Sequence, residues 1–286
     1  MTGPQSYCSA NQTAAPTTRV LECSVGACAT VRMTYDEVNA LRKQSASLPG
    51  NLGNSLLRHT DEQTLTALAA ANLAIKQLED RSSDFGGWGV VCSSRYLGRT
   101  SFADSLVKFA AEGPWNVSVQ VVPNRSLHAP ASMIGLALGC HGPCVGVGGG
   151  LDGEPDAWIT AITLLDQRNL PGIFLVFIGW EPDEHIDITG KPLTESRCTS
   201  LILALEPSGT ASEIARLKIG RNNRAPNDLE VPAKRTAMSQ VEESIATGTE
   251  RLQVMLGGGL SAEVQWAEAT SRKLPVPDLA DQRRAA

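Results

Sequence analysis

Apolar positions recur along this chain with two periods, and the alternation between them lays out a layered α/β protein. Arg19 to Val31 (RVLECSVGACATV) alternates apolar and small residues and predicts a strand kinked at its glycine. Thr60-Asp-Glu-Gln63 has capping-box spacing. Leu65, Leu68, Ile75 and Leu78 then mark one face of a helix whose flank is filled by alanines. Trp88 to Ser93 predicts a short buried strand, and Phe102 to Ala111 a helix that stops at Glu112-Gly113-Pro114. Val117 to Val122 reads as extended, and Ala131 to Leu138 as a buried helix ending near Gly139. Cys144 to Val147 predicts a strand running straight into Gly148-Gly149-Gly150. A helix from Pro155 to Asn169 follows, with proline suited to its first turn. Gly172 to Trp180 and Ser200 to Leu205 are apolar throughout, as strands covered on both faces are. After the Pro-rich connector Ala225 to Ala233, the spacing predicts two helices, Thr236 to Leu256 and Ser261 to Arg272. The expected organisation is a flexible tail (1–17), a layered α/β unit (18–207), and a connector with C-terminal helices (208–286).

Composition narrows the classes. In 286 residues, 42% are apolar and 19% charged, a globular balance. A formal charge of −5 argues against a broad nucleic-acid or anionic-membrane surface, and no apolar run approaches the roughly 20 residues of a membrane span. Seven cysteines, an odd count, behind a polar N-terminus without a signal pattern predict reduced thiols in the cytoplasm. Cys140-His141-Gly142-Pro143-Cys144 offers three ligand types in five residues. No second Cys/His pair stands at finger spacing, so these read as small buried thiols and no metal is expected. Glu181, Asp183, Glu184, His185 and Asp187 likewise read as a solvated loop.

The glycine turn is the most specific local feature. Gly148-Gly149-Gly150-Leu151-Asp152-Gly153 satisfies G-x-G-x-x-G between a strand and a helix, as a dinucleotide site does. That motif works by offering a pyrophosphate the positive end of a helix. Here Asp152, Glu154 and Asp156 already compensate that end and would repel the ligand, so no nucleotide cofactor is expected.

Read with its surroundings, the turn resembles another family. The run from Asn124 through His128, Met133 and Gly139 to Pro143 is similar to the Asn…Ala-Gly…Gly-x-x-Gly-Pro segment of β-ketoacyl synthases, which precedes the strand delivering the nucleophile. Further segments follow in the same order. Arg19 to Ala27 is similar to the family's first strand and Asp61 to Leu78 to its first long helix. Trp88 to Ser93, Ile173 to Trp180 and Ser200 to Glu206 are similar to its later strands. The resemblance covers roughly residues 18–207 and implies a thiolase-like N-terminal half-domain, with layered helices on a mixed central sheet.

Departures from the family set the functional expectation. The family's nucleophilic Cys would fall at Gly150 or Leu151, and from Val145 to Ile159 there is no Cys, Ser, Thr, His or Lys at all. The family's two catalytic histidines come from its second half, and the four histidines here (His59, His128, His141, His185) all precede residue 207. The resemblance therefore implies a non-catalytic subunit similar to chain length factors. Such a subunit would support fatty-acid or polyketide (aryl-polyene-type) assembly as a homodimer or beside a catalytic ketosynthase. On that reading Gly149, Gly150 and Leu151 are a degenerate nucleophile turn, and Cys144, Val145 and Val147 face a partner. His128, Met133 and Leu151 then either border an acyl pocket or fill turn and core positions. Arg221, Arg224, Lys234 and Arg235 offer charge to an acidic acyl carrier protein, or are ordinary surface charge. Two alternatives stand beside this one. The first is a free-standing acyl-thioester enzyme whose Gly149–Leu151 backbone N–H groups serve as an oxyanion site; the second is a scaffold that binds no acyl group.

Overall fold

Strand Ile173–Glu181 (β4) shows why the chain builds two layers of helix on one sheet. Phe174, Val176 and Ile178 enter one apolar cluster and Ile173, Leu175 and Phe177 the other, so both faces of the strand must be covered. Full burial of each such side chain contributes roughly 1.5–3 kcal/mol. The protein is described by a computed structural model over residues 20–43, 48–50, 52–78, 84–119, 121–148, 150, 153–183, 188, 196–209, 213–222 and 235–267.

In chain order the other elements are β1 (Leu21–Thr34), α1 (Tyr35–Leu41), α2 (Asn54–His59), α3 (Glu62–Leu78), β2 (Gly89–Ser94) and α4 (Arg99–Glu112). A 3₁₀ turn, Pro114–Asn116, leads to α5 (Val121–Asn124), α6 (Ala129–Leu138), β3 (Cys144–Val147) and α7 (Gly153–Arg168). Beyond β4 come β5 (Arg197–Pro207), β6 (Ala215–Arg221), α8 (Ala237–Thr247), β7 (Arg251–Gly257) and β8 (Leu260–Trp266). One sheet takes in all eight strands in the order β3-β2-β4-β5-β1-β6-β8-β7. β2 pairs in parallel with β3 and β4, whereas β5 runs antiparallel to both β4 and β1. The fold is thus mixed α/β with layered helices, as the sequence implied. The expected kink in β1 appears as a register shift between Val25 and Ala27, spanning Gly26.

α3 packs on β1 and β5, with Ala67, Ala70, Ala71 and Ala74 fully buried where larger side chains would hold it off. Its cap is Asp61, whose Oδ1 accepts from the Gln63 N–H at 2.9 Å; Thr60 instead donates its hydroxyl to the Leu56 carbonyl. α7 lies on the opposite face, burying Ala157, Trp158, Ala161, Ile162 and Leu165.

Two expectations are corrected. Of Thr236 to Leu256 only Ala237–Thr247 is helical, and Ser261 to Trp266 is a strand; residues 268–272 lie outside the described ones. Gly248, at φ 66°, ends α8, and the apolar period then becomes two: Leu252, Val254 and Leu256 in β7, Ala262, Val264 and Trp266 in β8. This hairpin and α8 lie over α7: Met238, Val241, Val254, Leu256, Ala262 and Val264 share its apolar cluster. Second, within Val117 to Val122 the β-branched run does not form a strand; Val121 begins the helical turn α5. The expected N-terminal tail, 1–17, lies outside the described residues.

Candidate functional site

Parallel strands leave their carboxyl ends facing helix N-termini, and ligand sites of open α/β sheets form there. In this protein that end gathers the close of β2, β3 and β4 and the start of α7. The β3–α7 connection is tight because it is built on glycine. Gly148 stands at φ 77°, and a Cβ on it would meet the Gly153 Cα at 2.4 Å; one on Gly153 would meet the Ser93 hydroxyl at 3.3 Å. Gly150 differs, because a Cβ there would meet nothing within 4 Å. Gly150, one of the two positions expected to match the family's nucleophile, thus faces open space. Gly149 and Leu151 lie outside the described residues.

β3 is one of the two edge strands of the sheet, β7 being the other. Val90 N–H bonds the Pro143 carbonyl at 2.8 Å, so by alternation Val145 and Val147 turn their backbone groups toward β2. Cys144 and Gly146 turn theirs to the open edge. Alongside runs the loop entering α6, with the Leu127 carbonyl so close over Gly146 that a Cβ would meet it at 1.9 Å. His128 Nδ1 accepts the Gly146 N–H at 3.2 Å. Met133 is buried in the cluster that holds α3, α6 and β2 residues, whereas His128 is exposed and bonds β3 directly; Leu151 lies outside the described residues. Cys140 and Cys144 are half-buried, and Cys92 is fully buried. Burial pushes the thiols up: Cys140 to about 12, and Cys92 and Cys144 above their ordinary value. None of these three is an activated nucleophile.

Around the strand ends lies a polar network that the sequence reading missed. Arg95, directly after β2, lies over Gly179, where a Cβ would meet its Nε at 3.0 Å. Its guanidinium donates to the Trp180 carbonyl at 2.7 Å and faces Asp183 at 3.1 Å and Glu181 at 3.6 Å. Gln63 Nε2 donates to the Arg95 carbonyl at 2.9 Å, and Arg125 stands 3.9 Å from Asp61. Burial, then the neighbouring Glu62 charge, raises the Asp61 carboxyl against the pull of its cap bond and of Arg125 and Arg42. Glu154, in the first turn of α7, crosses to α8: one oxygen accepts the N–H groups of Ala237 and Met238. Burial raises it to about 7 despite those two bonds and Arg95. Glu181 and Asp183 thus serve Arg95; Glu184, His185 and Asp187 lie outside the described residues. Arg235 is tied to Glu243 on α8, Arg221 ends β6, and Arg224 and Lys234 are not among the described residues.

The third feature is apolar and exposed. None of the α4 residues whose side chains are described is buried, and the helix packs chiefly on the 3₁₀ turn and α5. Phe102, Leu106 and Phe109 recur at helical spacing along it, the last two 67% and 53% exposed, and Trp115 beyond it is 96% exposed. Val107 on the same helix, Val119 and, on α6, Leu136 are exposed as well.

No family model and no curated protein matches the sequence. Solved structures do. A chain from the complex of a ketosynthase with its chain length factor from Xenorhabdus doucetiae superposes with a TM-score of 0.52 at 12% identity, over 86% of this chain and 99% of that one. The ishigamide ketosynthase/chain length factor gives 0.47 at 13% identity, over 70% and 68%, and a β-ketoacyl synthase from Burkholderia phymatum 0.47 at 13%, over 73% and 65%. The fold is that of the thiolase-like ketosynthases. The first of these matches is longer than residues 18–207, so the likeness extends past the stretch that carries it in sequence. Among the described residues no helix is long and apolar enough to cross a membrane.

Proposed function

We propose that the chain is a non-catalytic, ketosynthase-like subunit that docks on a catalytic ketosynthase during fatty-acid or polyketide assembly. One observation carries the reading: the apolar arm of α4 and the 3₁₀ turn, with Phe102, Leu106, Phe109 and Trp115 exposed among the described residues. Contiguous apolar surface beyond a few hundred Å² is uncommon on monomers and marks interfaces. Two further features favour it. β3 offers an edge on which the backbone groups of Cys144 and Gly146 point outward, and the residues expected to face a partner, Cys144, Val145 and Val147, lie on this strand. The turn at Gly150 carries no nucleophile, and the nearby thiols are held protonated. The Xenorhabdus complex, a ketosynthase with its chain length factor, is the precedent for such a pair.

The test is association with the ketosynthase encoded beside this chain. Copurification and sedimentation should give a 1:1 complex or, without that protein, a homodimer. Leu106→Asp with Phe109→Asp should weaken either at least about 100-fold, because two charges would be buried unpaired, while circular dichroism stays unchanged. An electrophilic acyl analogue should leave residues 145–159 unlabelled by peptide mass spectrometry. Turnover of a malonyl thioester by the isolated chain would instead favour the oxyanion reading of the glycine turn. A wild-type chain monomeric in both settings would remove the docking assignment.

A further inference from the structure

An edge strand that pairs with a partner must also be kept from pairing with everything else. β3 has four residues, and only Cys144 and Gly146 direct backbone groups outward. Among the described residues, the outward N–H that finds an acceptor is that of Gly146, and its acceptor is a side chain, His128 Nδ1. This bond is possible because Gly146 has no Cβ: the loop carrying Leu127 and His128 comes down on the strand where any larger residue would strike the Leu127 carbonyl. To accept, Nδ1 must be unprotonated, which places the ring proton on the exposed Nε2. His128 itself is exposed and stands at the start of α6, where its carbonyl accepts the Ser132 N–H at 2.9 Å. One stretch of chain carries α4 at one end and His128 at the other.

We propose that His128 is a displaceable plug on β3: it occupies the strand's outward donor in the free chain and leaves when the extended strand of a ketosynthase-fold partner pairs there. The inference rests on the docking reading above and adds the regulation of that contact. Displacing one neutral hydrogen bond is a cost of association, so removing the plug tightens it.

The experiment compares wild type, His128→Ala and His128→Asn, each checked by circular dichroism. Hydrogen exchange of the Gly146 amide is read in the free chain, and sedimentation is run alone and with the adjacent ketosynthase. His128→Ala should speed Gly146 exchange and tighten association about 3- to 10-fold. His128→Asn, with Oδ1 close to where Nδ1 stood, should behave as wild type in both. If the Leu106/Phe109 double variant abolishes association while His128→Ala leaves affinity unchanged or weaker, docking stands and the plug is overturned. If neither wild type nor His128→Ala associates with itself or the ketosynthase, the docking reading fails, and the plug with it. Association gained only by His128→Ala supports the plug.

Discussion

Gly146→Ala is expected to cost at least about 3 kcal/mol, a fall in Tm of roughly 6–12 °C for a chain of this size, or to leave the protein insoluble. The new methyl would sit 1.9 Å from the Leu127 carbonyl oxygen and 2.8 Å from the His128 nitrogen. Both obstacles are backbone, so no rotamer relieves the clash; either β3 leaves β2 or the α6 entry loop lifts away. Gly148→Ala should behave similarly, since positive φ adds strain to a 2.4 Å approach to Gly153. Gly150→Ala is the control, expected within about 0.5 kcal/mol because open space surrounds it. Chemical denaturation of the three variants decides the matter, and equal losses at 146 and 150 would contradict the geometry of the turn.

Stability should also fall as pH rises from 5 to 8, the reverse of the common acid-labile pattern. Asp61, Glu154 and Glu242 all have carboxyls raised by burial, Glu154 to about 7. A raised folded-state value means the native chain holds its proton longer than the unfolded one. The stabilisation is complete below the unfolded value and is lost as pH passes through the folded one. For Glu154 the window runs from about 4.5 to 7, and its loss amounts to about 3 kcal/mol in all, about 2 of it between pH 5.5 and 8. Glu213 shifts downward, chiefly through the Ser24 hydrogen bond, so its window lies below its ordinary value and outside this range. Urea midpoints at pH 5.5 and 8 measure the effect. Glu154→Gln keeps a carbonyl acceptor for the N–H groups of Ala237 and Met238, and it should flatten much of the dependence. An unchanged slope in that variant would show that Glu154 is not its source.

Much of the fold was legible because period and burial agree. β4 and β5 read as apolar runs and are buried on both faces, and the alanine flank of α3 is its packing face. The C-terminal hairpin was misread although its signal was present. Leu252, Val254 and Leu256 alternate, and Gly248 stops the preceding helix, but Met238, Val241 and Ile245 had set a helical period that was carried on too far. The glycine turn and the edge strand were placed correctly in sequence. The polar network was not, because Asp61, Arg95, Glu154 and Glu181 belong to separate elements and meet only when the sheet assembles. Their common signal was position: Arg95 and Glu181 each lie at the carboxyl end of an apolar strand, where a parallel sheet collects its polar groups.

The placement of β1 reaches beyond the finished molecule to its manufacture. This 14-residue strand is largely buried, lies inside the sheet, and has as its two neighbours strands that begin only at Arg197 and Ala215. At ribosomal speeds of about 5–20 residues per second, it waits roughly ten to thirty seconds before either edge can be matched. Until then the nascent chain exposes a long sticky ribbon, and only once β5 emerges can the strand be locked into place. The interior of the sheet is therefore completed late, and the interval before it closes is when the growing polypeptide most needs a chaperone's shelter.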